Sequence, residues 1–129
     1  MRVGRIYRFE ASHRLHTSAL AENENVEVYG KCANEGGHGH NYELVLLFEG
    51  EPDPITGMLF DRRKVDRRVQ ECLISKVDHR HLDDIIDEVT TGENLARVFK
   101  NWLDEEFAGG PRLVSVELVE TPRNHFVAS

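Results

Sequence analysis

The sequence is poor in cysteine, in basic charge and in long apolar runs, and each shortage excludes a class of protein. Two cysteines, Cys32 and Cys72, are too few for a disulfide-stapled scaffold. Sixteen Lys and Arg stand against 23 Asp and Glu, a net charge of −7. A basic face that tracks phosphates is therefore not expected, nor a nucleic-acid partner. No apolar run approaches the ~20 residues that span a bilayer, and residues 1–15 lack the apolar stretch of a signal peptide. The expectation is a cytoplasmic protein without a membrane partner. There is no repeat, linker or low-complexity tract, and 40% of the 129 residues are apolar. That suits one domain over residues 1–129. What stands out is histidine: seven in a short chain, unevenly placed.

Residues 2–12 carry Val3, Ile6, Tyr7 and Phe9, enough β-formers for a first strand. Residues 22–31 are charged and broken by Asn23, Asn25 and Gly30, which reads as a loop or flap with 26–29 extended at most. The glycine-rich stretch 34–39 reads as irregular. Residues 41–49 are the clearest strand, and 51–57, with Pro52, Pro54 and Gly57, the clearest turn segment. From Asp61 to Val77 the apolar residues Val65, Val69, Cys72, Leu73 and Val77 recur at helical spacing, with Asp61 placed to cap. Residues 78–87 read as a polar connector. A second helix runs from Glu93 to about Phe107, capped by Thr90 or Thr91, with Leu95, Val98, Phe99, Trp102 and Leu103 on its face. Residues 112–121 predict a strand and 125–128 a short last one. Strands at both ends with helices between predict an α+β layer. Its mainly antiparallel sheet carries helices on one face and leaves edges and a second face for oligomerisation to cover.

His38 and His40 flank Gly39. In extended backbone, residues two apart share a face. Two imidazoles on one face are half of a zinc site, whose catalytic form takes three protein ligands and leaves one position open. The plainer alternative is a polar loop with two exposed histidines. His13, ending the first strand, is either a third ligand or a half-buried strand residue. Cys32, beside Lys31 and in a polar loop, is a base or nucleophile if its pKa is depressed, and otherwise a small buried hydrophobe. Glu35 is a second acid–base group or a surface charge. Asp78 and His79 are the parts of a proton relay, although adjacent side chains in extended backbone point apart. Glu93 stands where the helix macrodipole favours a carboxylate. Glu120 ends an apolar strand, either as a carboxylate for a guanidine-like ligand edge or as a strand-end charge.

Taken in order, certain stretches match a known pattern: Phe9-Glu-Ala-Ser-His-Arg-Leu-His16, Tyr29-Gly-Lys-Cys32, Gly37-His-Gly-His-Asn-Tyr42, Asp53-Pro-Ile-Thr-Gly-Met58, Val77-Asp-His79 with Leu82-Asp83, Thr91-Gly-Glu-Asn94, and Val119-Glu-Thr121. Together they resemble the 6-pyruvoyl-tetrahydropterin synthase / 6-carboxy-tetrahydropterin synthase family over almost the whole chain. The resemblance implies a tunnelling fold (T-fold): a four-stranded antiparallel sheet with two helices on one face. Three copies would close a β-barrel, and two trimers would make a homohexamer. It further implies Zn2+ on His13, His38 and His40. Cys32, Asp78 and His79 would be proton-transfer residues drawn from neighbouring subunits. Glu120 would anchor the pterin ring, with Thr91 and Glu93 near the pocket.

Departures from the pattern choose among members. The chain reads Cys32-Ala-Asn-Glu35-Gly-Gly-His38-Gly-His40. Members that make 6-carboxy-tetrahydropterin usually have a shorter cysteine-to-histidine gap. Those that make 6-pyruvoyl-tetrahydropterin have a gap like this one, without the glutamate. A further subgroup keeps the glutamate, lacks the cysteine and replaces dihydroneopterin aldolase. With both Cys32 and Glu35, the chain resembles the combined C-x2-E-x2-H-G-H subgroup. That implies a lyase acting on 7,8-dihydroneopterin triphosphate or dihydroneopterin. Its products would be 6-carboxy-5,6,7,8-tetrahydropterin, towards queuosine or another deazapurine, 6-hydroxymethyl-7,8-dihydropterin, towards folate, or both. One alternative is a 6-pyruvoyl-tetrahydropterin synthase that eliminates triphosphate. Another is a non-catalytic pterin- or metal-binding module, against which the joint presence of Cys32, Asp78, His79 and Glu120 argues. Gly92, where a second threonine is common, and Arg62, where phenylalanine often follows the aspartate, also depart. Lys31, Arg14 and Arg80 are candidates for a triphosphate site.

Overall fold

Strands β1 (Arg2–His13) and β2 (His38–Glu49) pair antiparallel along their whole length, with Arg2 opposite Glu49 and His13 opposite His38. This is a computed structural model, and it describes residues 1–129. Side chains alternate across the pleat. Phe9, Ala11 and His13 on β1 and Tyr42, Leu44, Leu46 and Phe48 on β2 are buried on one face. Arg8 and Glu10 on β1 and Asn41 on β2 point to the other. β2 begins at His38, so residues 38 and 39 are not the irregular stretch the glycines predict. Pairing of Gly39 with Ser12 and of His38 with His13 outweighs the weak strand preference of glycine. The irregular part is confined to the turn before it.

The remaining strands extend this pair on both sides. β4 (Arg112–Thr121) runs antiparallel to β2, and β5 (Asn124–Ala128) antiparallel to β4. β3 (Arg80–His81) adds a two-residue parallel edge to β1, giving the order β3-β1-β2-β4-β5. The sheet is thus five-stranded, where the resemblance implies four. The four antiparallel strands are present, and the fifth comes from residues expected to be a connector. The backbone of 78–81 is drawn against β1, where His79 N–H donates to the Glu10 carbonyl at 2.6 Å.

Asp61 caps α2 (Arg62–Val69) as its sequence predicts, its Oδ1 accepting from Arg63 N–H at 3.0 Å. The helix then widens into a π-helical turn (Gln70–Ile74) before α3 (Ser75–Val77). The wider turn buries both Leu73 and Ile74 and leaves Cys72 half-buried, its thiol near the Trp102 carbonyl at 3.7 Å. α4 (Gly92–Glu106) is capped by Thr91 and buries Leu95, Ala96, Phe99 and Leu103. These helices and the inner sheet face form a single cluster of 21 buried apolar residues, which accounts for one core. Phe9 stacks on Tyr42 at 4.9 Å, and Phe99 meets Phe9 edge-on at 6.0 Å.

Residues 22–29 form a helix, α1 (Glu22–Tyr29), and not the loop or extended segment the sequence predicts. Its apolar residues Val26 and Val28 face outward, so no apolar stripe announces it. What holds it is polar. Buried Asn25 accepts from Thr17 N–H and donates to the carbonyls of Thr17, Leu20 and Ala21. Glu24 accepts from Ala21 N–H at the helix start. No helix is long and apolar enough to cross a membrane.

Candidate metal centre and active site

The β1–β2 register brings three histidines to one end of the inner face. His13 lies opposite His38, and His40 lies opposite Ala11, one pleat away. One ring nitrogen from each of His13, His38 and His40 lies within 4.8 Å of the others. His13 Nε2 and His38 Nε2 are 2.9 Å apart. His13 Nδ1 faces the Thr90 carbonyl oxygen at 2.8 Å. A carbonyl only accepts, so Nδ1 carries the proton and Nε2 presents a lone pair.

Burial pushes the pKa of His13 down, against a smaller upward pull from the Thr90 carbonyl. Burial likewise lowers that of His40, against the nearby Glu120 carboxylate. Neutral imidazoles are the form that ligates a metal. His40 Nε2 is buried with no hydrogen-bond partner, which costs free energy unless another group fills the space between the rings. Three converging imidazole nitrogens, one of them orphaned, fit a transition-metal ion of zinc type.

Glu120, near the end of β4, joins this cluster. Its carboxylate oxygens lie 4.0 Å from His13 Nε2 and 4.0 Å from His40 Nε2, and it is 13% exposed. A carboxylate this enclosed beside the histidines is not an ordinary strand-end charge. Against the His40 ring, at 5.5 Å between centroids, Tyr42 is fully buried with its hydroxyl unpartnered. Burial first, then Glu120 and Asp83, push that phenol's pKa up, so it stays protonated.

The other expected residues are elsewhere. Cys32 is half-buried on a 3-10 turn (Gly30–Ala33), which is tied to the continuation of β1 by Leu15 N–H donating to the Cys32 carbonyl at 2.8 Å. Glu35 is exposed on the turn that follows. Asp78 and His79 do form a pair, since His79 Nδ1 lies 3.0 Å from Asp78 Oδ1. The left-handed backbone of His79, at φ 58°, turns its ring back to its neighbour, which extended backbone would not allow. Asp78 also accepts from Glu10 N–H, and this bond, ahead of the histidine, holds its carboxyl below the usual carboxylate range. His79 Nε2 faces Glu10 at 3.5 Å. Glu10 and His13, three apart on β1, project to opposite faces of the sheet. No hydrogen bond or ion pair joins Asp78, His79 or Cys32 to the three histidines within one chain.

Thr91 is engaged as the α4 cap, accepting from Asn94 N–H, and Glu93 is exposed beside it. Of the basic candidates, Arg14 donates to the Ala33 carbonyl at 2.8 Å, while Lys31 and Arg80 are exposed. Sequence reasoning missed the parts played by Tyr42 and Thr90. Tyr42 was findable, because alternation from His38 and His40 puts it on the same face. Thr90 was not, because its carbonyl meets His13 only through the fold.

A family model described as 6-pyruvoyl tetrahydropterin synthase matches residues 2–129. The chain is 38% identical over 126 residues to a Caenorhabditis elegans protein named putative 6-pyruvoyl tetrahydrobiopterin synthase, covering 95% of this chain and 89% of that one. It is 37% identical over 126 residues to the 6-pyruvoyl tetrahydrobiopterin synthase of Homo sapiens, covering 95% and 86%. The solved structure of Caenorhabditis elegans 6-pyruvoyl tetrahydropterin synthase matches with a TM-score of 0.93 at 36% identity, over 100% of this chain and 94% of that one.

Proposed function

Because the chain belongs to the 6-pyruvoyl tetrahydropterin synthase family of enzymes, we propose that it converts 7,8-dihydroneopterin triphosphate to 6-pyruvoyl-tetrahydropterin with loss of triphosphate. The observation that carries this reading is the cluster of His13, His38 and His40 with Glu120 against it. The names of its near-full-length relatives favour the pyruvoyl reaction. The side-chain cleavage that the Cys32–Glu35 motif implies therefore becomes the second reading.

His13, His38 and His40 would hold Zn2+, which would supply Lewis acidity to the side-chain hydroxyls of the substrate. Glu120, fixed beside them, accepts hydrogen bonds from the amino-pyrimidine edge of the pterin and so sets which side-chain carbons face the histidines. Elimination breaks a carbon–oxygen bond and removes a proton from the adjacent carbon. Isomerisation then moves protons between the side chain and the ring without an external oxidant or reductant. Cys32 as thiolate takes one such proton, and His79 gives or takes another at Nε2 while Asp78 holds Nδ1. Since Asp78 and His79 turn away from the histidines of their own chain, a neighbouring copy supplies them to the site. The assembly we propose is the homohexamer of two trimers.

Glu35, exposed and close in sequence to Cys32, supports the second reading: cleavage to 6-hydroxymethyl-7,8-dihydropterin or 6-carboxy-tetrahydropterin. Product analysis of the zinc-loaded protein separates the two. Pyruvoyl product with released triphosphate is expected from dihydroneopterin triphosphate. Carboxy or hydroxymethyl product instead would establish the second reading, and no turnover with metal bound would exclude both.

A further inference from the structure

The Thr90 carbonyl that orients His13 is itself held by Asp83. Thr90 is 1% exposed, and its Oγ1 donates to Asp83 Oδ1 at 2.6 Å. The second carboxylate oxygen accepts from the backbone N–H of Arg14, the residue after His13, at 3.0 Å. The same oxygen lies 3.4 Å from His81 Nε2, whose Nδ1 is 2.9 Å from Ser12 Oγ on the other side of His13. One carboxylate thus fastens the backbone beside His13 to the residue whose carbonyl meets its ring. Thr90 lies between a 3-10 turn (Leu82–Asp84) and α4, where no ladder of backbone bonds fixes it.

The geometry points to Asp83 as a positioning residue for the metal centre. Acting through Thr90 and Arg14, it sets the tautomer and direction of His13 so that Nε2 faces a divalent cation that prefers imidazole. The inference rests on the reading of His13, His38 and His40 as metal ligands. Partners one step beyond the ligands typically change metal affinity ~10- to 100-fold when removed.

Three variants test it. Asp83→Asn keeps the shape and removes the charge and one acceptor. Thr90→Val keeps the shape and removes the hydroxyl, whereas Thr90→Ser retains it. Zn2+ affinity is measured by competition with a chromogenic chelator. The tautomer of His13 is read separately from long-range 1H–15N spectra of the metal-free protein. Asp83→Asn and Thr90→Val are each expected to weaken Zn2+ binding about 10- to 100-fold and to mix the His13 tautomers. The double variant should be no weaker than the weaker single one, and Thr90→Ser should behave as wild type. Wild-type affinity and an unmixed tautomer in both variants would overturn the inference. Equal loss in Thr90→Ser and Thr90→Val would also overturn it, because the hydroxyl would then not be the link. If Asp83→Asn does not fold, the Thr90 pair decides. A wild-type protein that binds no Zn2+ would remove the metal reading, while the metal-free tautomer comparison would still decide the role of Asp83.

Discussion

The ring of Phe126 stands where a side chain on Gly92 would have to go: a Cβ built on Gly92 falls 2.0 Å from Phe126 Cε2. The first residue of α4 is thereby pressed against β5, and the glycine that departs from the family pattern has a packing reason. Gly92→Thr is expected to destabilise the protein by about 1–3 kcal/mol through overpacking. Replacing Phe126 with leucine in that background should recover part of the loss, measured by urea unfolding. A fully stable Gly92→Thr single variant would show that Phe126 yields freely.

Asp66 on α2 ties the helix to the sheet, accepting two bonds from Arg5, at 3.1 and 2.6 Å, and one from Tyr7 at 2.6 Å. Burial raises the carboxyl's pKa, but the bonds from Arg5 and Tyr7 outweigh it and leave the group below its usual value. A depressed folded-state pKa means a contribution that is fully present above the unfolded value of ~3.9 and lost as pH falls through the folded one. Because Arg5 and Asp66 are 30% and 38% exposed, the pair is worth only about 1 kcal/mol. Wild type should exceed Asp66→Asn by about that amount at pH 7. The two stabilities should converge below about pH 4, as followed by thermal melts across pH.

On the proposed function, Cys32 and Glu35 would serve separate products. Cys32→Ala is expected to lower 6-pyruvoyl product by about 100-fold or more, the usual scale for losing a proton-transfer group. Glu35→Ala should lower only any 6-hydroxymethyl product. Chromatography of the reaction mixtures reads both, and equal losses of every product from both variants would show that the two groups do not divide the work.

Subunit sharing can be tested by complementation. His13→Ala and His79→Ala should each be inactive alone. When the two are unfolded together and reassembled, activity should return, because some sites then combine an intact histidine cluster with an intact Asp78–His79 pair. Mixed assemblies without activity would place all these groups in one chain's site.

The kinship of His38 and His40 was legible because strand alternation is a local rule, whereas His13 joined them only through the family resemblance. His38 and His40 lie two apart, and once residues 38–49 are extended they share a face. The cap residues Asp61 and Thr91 and the buried stripe of Leu95, Phe99 and Leu103 were legible for the same kind of reason. α1 was not, since a helix held by the hydrogen bonds of Asn25 carries no apolar period. β3 was not, since two polar residues become a strand only when β1 is there to pair with them. The π-helical turn was also hidden, because its residues keep nearly helical spacing and only packing decides which of them is buried.

Residue identity and local spacing marked His38 and His40 as a pair and outlined most strands and helices of the core, while the family pattern along the chain, and not spacing, added His13. Only the tertiary structure set His13 against His38 and put the Thr90 carbonyl on its ring, 77 residues away. It also placed Glu120 beside the cluster and turned Asp78 and His79 to the opposite face. Those relations depend on the register of pairing and on loop closure across many residues. Short-range propensity carries no information about either.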